Sequence, residues 1–274
     1  MSNPEHELTL VVGGTGKTGA KVVERLTSSG TPVRIATRSS SPAFDWNAQE
    51  TWTAVTDDVA RAYVVHPGAG GLEDQEQIAA FIAHLRNSGV KRVVLLSVYG
   101  PDSVAEEAVV RSGMEYTIVR PGWFNQNFSE DFFLNFRESI QAGRLELPFG
   151  STRFAFVDVD DIADVAVAAL TGAAHNGKSY DLTGPRQMTF EEATGEIARA
   201  TGREIPYTNL SPNDYAALLV SRGMSVEEAQ GFAAASDAPD EQLRNGVQEA
   251  LGRPATDFGD YAARTAKTGV WDAR

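Results

Sequence analysis

Three glycines near the start of the chain have the spacing of loops that hold phosphate groups. Gly13, Gly16 and Gly19 directly follow the apolar run Leu8-Thr-Leu-Val-Val and precede an amphipathic stretch. This order predicts a strand, a tight turn that needs Gly13, a close phosphate approach at Gly16, and close helix–strand packing at Gly19. The helix N-terminus would offer N–H groups and partial positive charge to a pyrophosphate. The pattern predicts a bound dinucleotide; a glycine-rich turn with an empty site is the alternative.

The residues after the next predicted strand distinguish between two dinucleotides. Pro32-Val-Arg-Ile-Ala-Thr37 alternates like a strand and is followed by Arg38 and three serines, with no carboxylate before Asp45. An acidic residue here would bind the ribose 2′-hydroxyl of NAD, whereas an arginine accommodates a 2′-phosphate. One charge-assisted contact contributes about 1.5–3 kcal/mol, a roughly tenfold to hundredfold preference. We therefore expect NADP(H); the alternative is a surface arginine in a solvated loop.

Candidate proton donors follow two further predicted strands. His66 and Pro67 end the strand that begins at Arg61, and Ser97, Val98 and Tyr99 end the apolar strand that begins at Lys91. The carboxyl ends of parallel strands form the crevice where such folds bind ligands. His66 would donate a proton, contact the nicotinamide ribose, or merely pack. Tyr99, Ser97 and His66 are the candidate catalytic residues.

An aromatic cluster follows the sixth predicted strand, which ends at Arg120-Pro121-Gly122. It runs from Trp123 through Phe124, Asn127 and Phe128 to Phe132, Phe133 and Phe136. The cluster lines an apolar substrate pocket, forms the core of a second lobe, or does both. Asp158, Asp160 and Asp161 stand at the predicted start of a helix, where caps and the helix dipole favour acids.

Strand and helix patterns alternate along the first half of the chain. The amphipathic helices are expected at 72–87 and 104–111, and Phe44-Asp45-Trp46 is expected as a short third, edge-like strand. Such alternation predicts an α/β fold, a doubly wound parallel (Rossmann) sheet with right-handed crossovers. We expect residues 1–122, with 153–171 returning, to bind NADP, and residues 123–152 and 172–274 to form a smaller, mostly helical substrate lobe.

Composition excludes several classes of function. The 274 residues include no cysteine, which excludes disulfides and thiolate catalysis, and four scattered histidines favour no metal site. A formal charge of −13 would repel nucleic acid. No run approaches the ~18 apolar residues of a membrane span, and no signal peptide precedes the first strand. We expect a cytoplasmic protein with a small-molecule substrate and without nucleic-acid or membrane partners.

With these residues, the chain resembles the NmrA-like branch of the atypical short-chain dehydrogenase/reductase superfamily over essentially its full length. Phe44-Asp45-Trp46 resembles the subgroup of festuclavine-dehydrogenase-type enzymes and their bacterial relatives. The other matching segments are Gly13–Gly19, Arg38, Ser112-Gly-Met-Glu-Tyr-Thr-Ile-Val-Arg-Pro-Gly-Trp-Phe124, Asn127, and Phe156-Val-Asp-Val-Asp-Asp-Ile-Ala163.

The resemblance implies where a cofactor and a substrate would bind. It implies NADP(H) at the glycine loop with Arg38 at the 2′-phosphate, Asp45 and Trp46 near the adenine, and His66 and Pro67 near the ribose. The remaining cofactor positions are Thr15, Gly16, Lys17, Thr18, Thr37, Ser39, Ser97, Val98, Pro121 and Phe124. The substrate positions are Tyr99, Trp123, Phe124, Asn127 and Phe128.

One feature of most short-chain dehydrogenases is missing. None of the seven tyrosines has a lysine four residues on, so the Tyr-x-x-x-Lys dyad that protonates a carbonyl oxygen is absent. The sequence therefore favours an NADPH-dependent reductase that adds hydride to an imine, iminium or quinone. The alternative is a non-catalytic NADP(H) sensor that acts through a protein partner, as in NmrA-like regulators. A monomer or a homodimer is expected.

Overall fold

A computed structural model of the chain describes residues 7–68, 71–98, 100, 102–132, 134–234, 236 and 239–273. The strands are β1 (Leu8–Val12), β2 (Val33–Ala36), β3 (Val59–Val64), β4 (Arg92–Leu96), β5 (Glu115–Pro121), β6 (Leu145–Leu147), β7 (Lys178–Leu182) and β8 (Tyr207–Asn209). The helices are α1 (Lys17–Ser28), α2 (Trp52–Thr56), α3 (Leu72–Asn87), α4 (Val104–Arg111), α5 (Phe136–Gln141), α6 (Val159–Thr171), α7 (Phe190–Thr201), α8 (Pro212–Ser221), α9 (Val226–Ala234), α10 (Gly246–Leu251) and α11 (Phe258–Ala266).

The chain divides into two units, each with its own core. Unit 1 comprises Met1–Pro121, Val159–Leu182 and Asn245–Pro254, and unit 2 comprises Gly122–Asp158, Thr183–Arg244 and Ala255–Arg274. This differs from the expected division, because β7 and α10 belong to unit 1. The reason is pairing: β7 extends the sheet by parallel pairing with β5.

Unit 1 is built on a parallel sheet in the order β2-β1-β3-β4-β5-β7. Helices α3 and α4 pack against each other and against one face, and α1 and α6 pack together with the opposite face. The central strands are buried on both faces, as their unbroken apolar runs require. The predicted doubly wound α/β fold is confirmed. Direction along the sheet reverses between β1 and β3, the switch point at which open α/β sheets bind ligands.

The predicted edge strand at Phe44-Asp45-Trp46 was wrong, because this segment is a loop. Phe44 is buried, and its ring packs on Trp52 and Phe81 with centroids 6.4 and 5.1 Å away. The Asp45 carboxylate accepts a hydrogen bond from the N–H two residues on (2.9 Å), which turns the chain. Phe44 is buried and Trp46 is half-buried, and both pack against helices rather than within the sheet.

Unit 2 is organised around packed aromatic rings. The ring of Phe190, in α7, has six aromatic neighbours with centroids 4.9–5.7 Å away: Trp123, Phe128, Phe136, Phe149, Phe154 and Phe156. Helix α7 begins with the predicted capping box, in which Thr189 and Glu192 bind each other's backbone N–H groups. Strands β6 and β8 form a two-stranded parallel sheet. The returning strand expected near Phe154 is reduced to isolated bridges, from Phe154 to Met188 and from Val157 to Phe124.

Across the described ranges, the helices are too short or too polar to cross a membrane.

Candidate functional site

The glycine loop is tightly closed between β1 and α1. Gly13 has a φ of +68°, a left-handed conformation that glycine adopts without strain. A Cβ on Gly13 would lie 2.9 Å from Val65 Cγ1, so the loops after β1 and β3 are in contact. A Cβ on Gly19 would lie 2.2 Å from the Gly13 carbonyl oxygen, which shows how closely the helix approaches the turn. The loop therefore has no room for side chains at these two positions.

The N-terminus of α1 is open to an anion. Its N-cap is Gly16, which supplies no side-chain acceptor, and its first turn contains no acidic residue. Thr15 and Gly16 are exposed, and Lys17 is half-buried. Thr18 turns inward, where its hydroxyl accepts a hydrogen bond from the buried Tyr63 (2.9 Å). The backbone of this turn, rather than the Thr18 hydroxyl, is free to face a phosphate.

Arg38 is exposed in an ordered turn after β2. The Thr37 N–H donates to Ser40 Oγ (2.9 Å), and the Phe44 N–H donates to the Thr37 carbonyl oxygen (2.9 Å). Arg38 and Ser39 project from this turn. Within the described part of the chain, no carboxylate forms an ion pair with Arg38. Its guanidinium therefore has no competing anion to release before it binds a phosphate.

The loops after β2 and β3 bring Trp46 and His66 together. Their ring centroids lie 4.6 Å apart, and Asp45 and Pro67 flank the pair in sequence. His66 Nδ1 accepts a hydrogen bond from the Gly68 N–H (3.0 Å), so its ring proton lies on Nε2, 2.9 Å from Gln77 Oε1. Both ring nitrogens are thus engaged within unit 1, an arrangement that matches the packing alternative for His66.

Ser97 belongs to a buried polar network at the carboxyl ends of three strands. It follows β4, is fully buried, and donates its hydroxyl proton to Glu106 Oε1 (2.5 Å). Glu106, in the first turn of α4, also accepts from Arg120 Nη2 (2.6 Å) and Nε (2.8 Å). Arg120, in β5, reaches Asp181 of β7 (3.1 Å). Its bonds to Glu106 raise the pKa of Arg120 above its ordinary value. The network fastens β4, β5 and β7 together at their ends.

The remaining predicted residues of unit 1 lie beside this network. Val98 is 61% exposed, and Pro121, the last residue of β5, is half-buried. Tyr99 lies outside the described residues. In unit 1 the predicted cofactor residues thus cluster after the carboxyl ends of β1, β2, β3, β4 and β5. The open helix N-terminus and the crowded glycine turn together fit a dinucleotide, and Arg38 is exposed beside them in sequence order after β2.

The predicted substrate residues of unit 2 differ in exposure. Trp123 and Phe124 are half-buried, whereas Asn127 is buried and Phe128 is fully buried. The Phe128 carbonyl oxygen accepts a hydrogen bond from the Trp271 indole (2.7 Å). The cluster is therefore core of unit 2, and among its described members Trp123, Phe124 and Phe132 keep exposed surface. Phe133 of the predicted cluster lies outside the described residues.

The acids around the start of α6 are paired with arginines. Asp160 binds Arg25 of α1 (2.9 Å), and the buried Asp161 binds Arg253 (2.6 Å). Within unit 2, the buried Asp158 binds Arg264 (2.7 Å). These ion pairs are structural contacts between packed segments of the chain.

Sequence reasoning missed three polar side chains. Gln77 holds His66, Glu106 holds Ser97 and Arg120, and Glu241 lies against Gly122 in unit 2. Glu106 stands three residues after Ser103, a spacing that is typical of an ordinary helix start. Gln77 and Glu241 carry no local signal, because their partners are distant in sequence.

Comparison with known proteins gives a consistent result. The family model described as NAD(P)H-binding matches residues 13–173. The NAD(P)H azoreductase of Xenophilus azovorans is 31% identical over 284 residues, which cover 93% of this chain and 96% of that protein. The agroclavine dehydrogenase of Claviceps fusiformis is 29% identical over 278 residues, with coverage of 93% and 96%. The crystal structure of Citrobacter sp. triphenylmethane reductase complexed with NADP(H) shares the fold, with a TM-score of 0.74, 19% identity, and coverage of 95% and 99%.

Proposed function

Since this chain belongs to the NAD(P)H-binding family and is an oxidoreductase of the atypical short-chain type, we propose that it uses NADPH to reduce a small electrophilic molecule. The resemblance to the clavine-dehydrogenase subgroup is confirmed by the similarity to agroclavine dehydrogenase along the chain. When bound, the cofactor supplies a hydride from its nicotinamide ring. The residues of the chain bind and orient the reactants.

The preference for NADPH rests on Arg38. Its guanidinium is exposed directly after β2, where the 2′-substituent of the adenosine ribose is read in this fold. No carboxylate precedes Asp45 in this loop, and the Asp45 side chain accepts a hydrogen bond from the Asn47 backbone (2.9 Å). An unpaired arginine and a committed carboxylate both favour a phosphate over a hydroxyl at this place.

The coenzyme preference is tested by titrating NADPH and NADH into the Arg38→Ala variant. We expect the Kd for NADPH to rise roughly tenfold to hundredfold and the Kd for NADH to change little, since one charge-assisted contact is lost. Arg111→Ala is the matched control, because Arg111 is an exposed arginine of α4 whose ion pair among the described residues is with Glu107 (2.6 Å). Equal weakening of both coenzymes in Arg38→Ala would refute the assignment.

The class of hydride acceptor depends on whether the site can supply a proton. Hydride addition to an iminium carbon forms a C–H bond and leaves a neutral amine, so it consumes no proton. A ketone needs a proton on oxygen, and the Tyr-x-x-x-Lys dyad that supplies it is absent. Ser97 donates its proton to Glu106, and His66 engages Gln77. These commitments support an iminium ion, or a quinone protonated by water, over a ketone.

A panel of acceptors tests this function. Purified protein is mixed with NADPH and a series of cyclic imines, iminium salts, quinones and ketones, and nicotinamide absorbance is followed. We expect oxidation with iminium ions or quinones and none with simple ketones. Tight NADPH binding without oxidation across the panel would instead support the alternative function, a non-catalytic NADP(H) sensor. Recovery of a protein partner with the NADP-bound form would support that function further.

A further inference from the structure

Glu241 of unit 2 carries a carboxylate that lacks a neutralising cation among the described residues. Its Oε2 accepts a hydrogen bond from the Ala155 N–H (2.9 Å), and no described residue hydrogen-bonds to its Oε1. Arg153, although its carbonyl oxygen accepts the Glu241 N–H (2.9 Å), directs its Nη2 to Glu192 (2.9 Å) and to the Gln187 carbonyl oxygen (3.1 Å). Burial raises the pKa of Glu241 above its ordinary value.

The position of this carboxylate is held by backbone contacts. The Gln187 side-chain amide donates to the Glu241 carbonyl oxygen, so the residue is fixed on both sides of its Cα. A Cβ on Gly122 would lie 2.1 Å from Glu241 Oε1, so a larger residue at position 122 would displace the carboxylate from this place. Glu241 is therefore an anion with a fixed backbone, and its carboxylate lies against Gly122 within unit 2.

The surroundings indicate the kind of ligand that suits this anion. A half-buried carboxylate without a countercharge is destabilising, and such groups concentrate at functional sites. Aromatic residues adjoin both contacts of the carboxylate in sequence: Trp123 follows Gly122, and Phe154 precedes Ala155. Trp123 is half-buried and packs against five phenylalanine rings of unit 2 with centroids 5.7–6.4 Å away. This apolar setting favours an organic cation over a hydrated metal ion.

We propose that Glu241 binds the positive charge of an organic cation, an iminium or ammonium nitrogen, that unit 2 accepts as substrate. The inference rests on the proposed reductase function, since it names the charge of the acceptor. Hydride addition removes that charge from an iminium ion. The carboxylate therefore favours the cationic substrate over the neutral amine product, which aids substrate capture and product release.

The test is calorimetric titration of the intact protein with benzyltrimethylammonium, a cation that accepts no hydride. We expect the Glu241→Gln variant, which keeps an acceptor for the Ala155 N–H, to raise the Kd about tenfold or more. Asp240→Asn is the matched control, because it removes the same charge from the adjacent residue, whose carboxylate accepts the Arg153 N–H (2.8 Å). Its Kd should stay within about twofold of the wild type.

A second variant probes the same geometry without touching the charge. Gly122→Ala places a Cβ where Oε1 stands, and should also weaken cation binding while leaving the weak binding of neutral benzyl alcohol unchanged. In active protein, Glu241→Gln should raise KM for an iminium acceptor and leave KM for a neutral quinone unchanged.

Three results would overturn the inference: no binding of the cation by the wild type, an unchanged Kd in Glu241→Gln, or equal losses in Glu241→Gln and Asp240→Asn. Failure of the reductase proposal looks different, because NADPH would then stay unoxidised while the cation titration still responds to Glu241.

Discussion

Removing the Glu106 carboxylate tests whether the strand ends of unit 1 are held by a buried ion pair. Glu106 is 1% exposed and accepts hydrogen bonds from both Arg120 and Ser97. The Glu106→Ala variant leaves Arg120 with Asp181 as its acceptor among the described residues, and it removes the Glu106 acceptor from the fully buried Ser97 hydroxyl. Arg120 and Ser97 remain in place, so the substitution breaks their bonds to Glu106 without removing the donors.

The magnitude follows from these contacts. Breaking a buried ion pair by removal of one partner costs about 3–5 kcal/mol, and a buried hydroxyl that loses a hydrogen-bond acceptor costs about 1–3 kcal/mol. The two penalties belong to one network and do not add in full. Arg120 is 20% exposed and keeps Asp181, which moderates the first penalty. We therefore expect a loss of about 3–5 kcal/mol, a large part of the ~5–15 kcal/mol that stabilises a typical protein.

The assay is urea unfolding at neutral pH, with hydrogen exchange used to localise the loss. Protection should fall in β4, β5 and β7, since these strands end in the network. Glu107→Ala is the matched control, because Glu107 is the next residue of the same helix and, in the described ranges, its exposed carboxylate pairs with Arg111 alone. A surface pair of this kind contributes about 0.3–0.5 kcal/mol.

Two outcomes would refute this reasoning. The first is a loss in Glu106→Ala no larger than that in Glu107→Ala. The second concerns the double variant Glu106→Met/Arg120→Met, in which neither charge is stranded. Its loss in free energy of unfolding should be smaller than the sum of the losses in Glu106→Met and Arg120→Met. A loss equal to that sum would show that the pair is not coupled.

Three further substitutions are predicted together. Gly19→Ala puts a Cβ 2.2 Å from a backbone carbonyl oxygen of the turn, so it should lower the free energy of unfolding by about 1–3 kcal/mol and abolish coenzyme binding. Gly195→Ala, in α7, places a Cβ with nothing within 4 Å, so it should raise the free energy of unfolding by about 0.5–1 kcal/mol. Equal effects of the two substitutions in thermal melts would contradict the packing argument. Burial raises the folded-state pKa of Glu241, so the stability this group contributes is present at low pH and is lost as pH rises through that pKa. Glu241→Gln should therefore melt higher than the wild type at pH 8 and equally near pH 4, and a lower Tm at pH 8 would contradict this sign.

Much of unit 1 could be predicted because its signals are local. The strand before Gly13, the helix after it, and the alternation through β5 follow from apolar spacing and turn residues. The capping box at Thr189 was likewise recognisable from two residues three positions apart. Each of these features depends on neighbours along the chain, which the sequence displays directly.

The Phe44–Trp46 segment shows where this reasoning ends. Two aromatic residues around a polar one resemble a short strand, yet a strand also needs a partner with free backbone groups. The Phe44 N–H instead donates to the Thr37 carbonyl oxygen (2.9 Å), and the Trp52 indole donates to the Asp45 carbonyl oxygen (2.9 Å). These bonds close a loop, and the rings reach the core by packing on Phe81 of α3. Side-chain burial was predictable here, but its structural setting was not.

The role of Glu106 was hidden by a misleading local signal. Ser103 and Glu106 have capping-box spacing, and the Ser103 hydroxyl does accept the Glu106 N–H (3.2 Å). The glutamate side chain does not complete the box, because it turns to Ser97 and Arg120. An arginine guanidinium is a stronger partner than a backbone N–H, so the distant contact prevails.

These contacts distinguish the polar groups that hold the backbone in place from those that can meet a ligand, and the sequence alone could not make this distinction. In unit 1 the polar groups near the strand ends satisfy one another: Ser97 donates to Glu106, His66 engages Gln77, and Tyr63 donates to Thr18. Groups committed in this way hold backbone in place and do not exchange protons with a ligand. Unit 1 therefore suits a rigid platform for a coenzyme, with Arg38 as its uncommitted charge. We expect charge complementarity to the acceptor to come from other groups, and Glu241 of unit 2 has a carboxylate oxygen to which no described residue hydrogen-bonds.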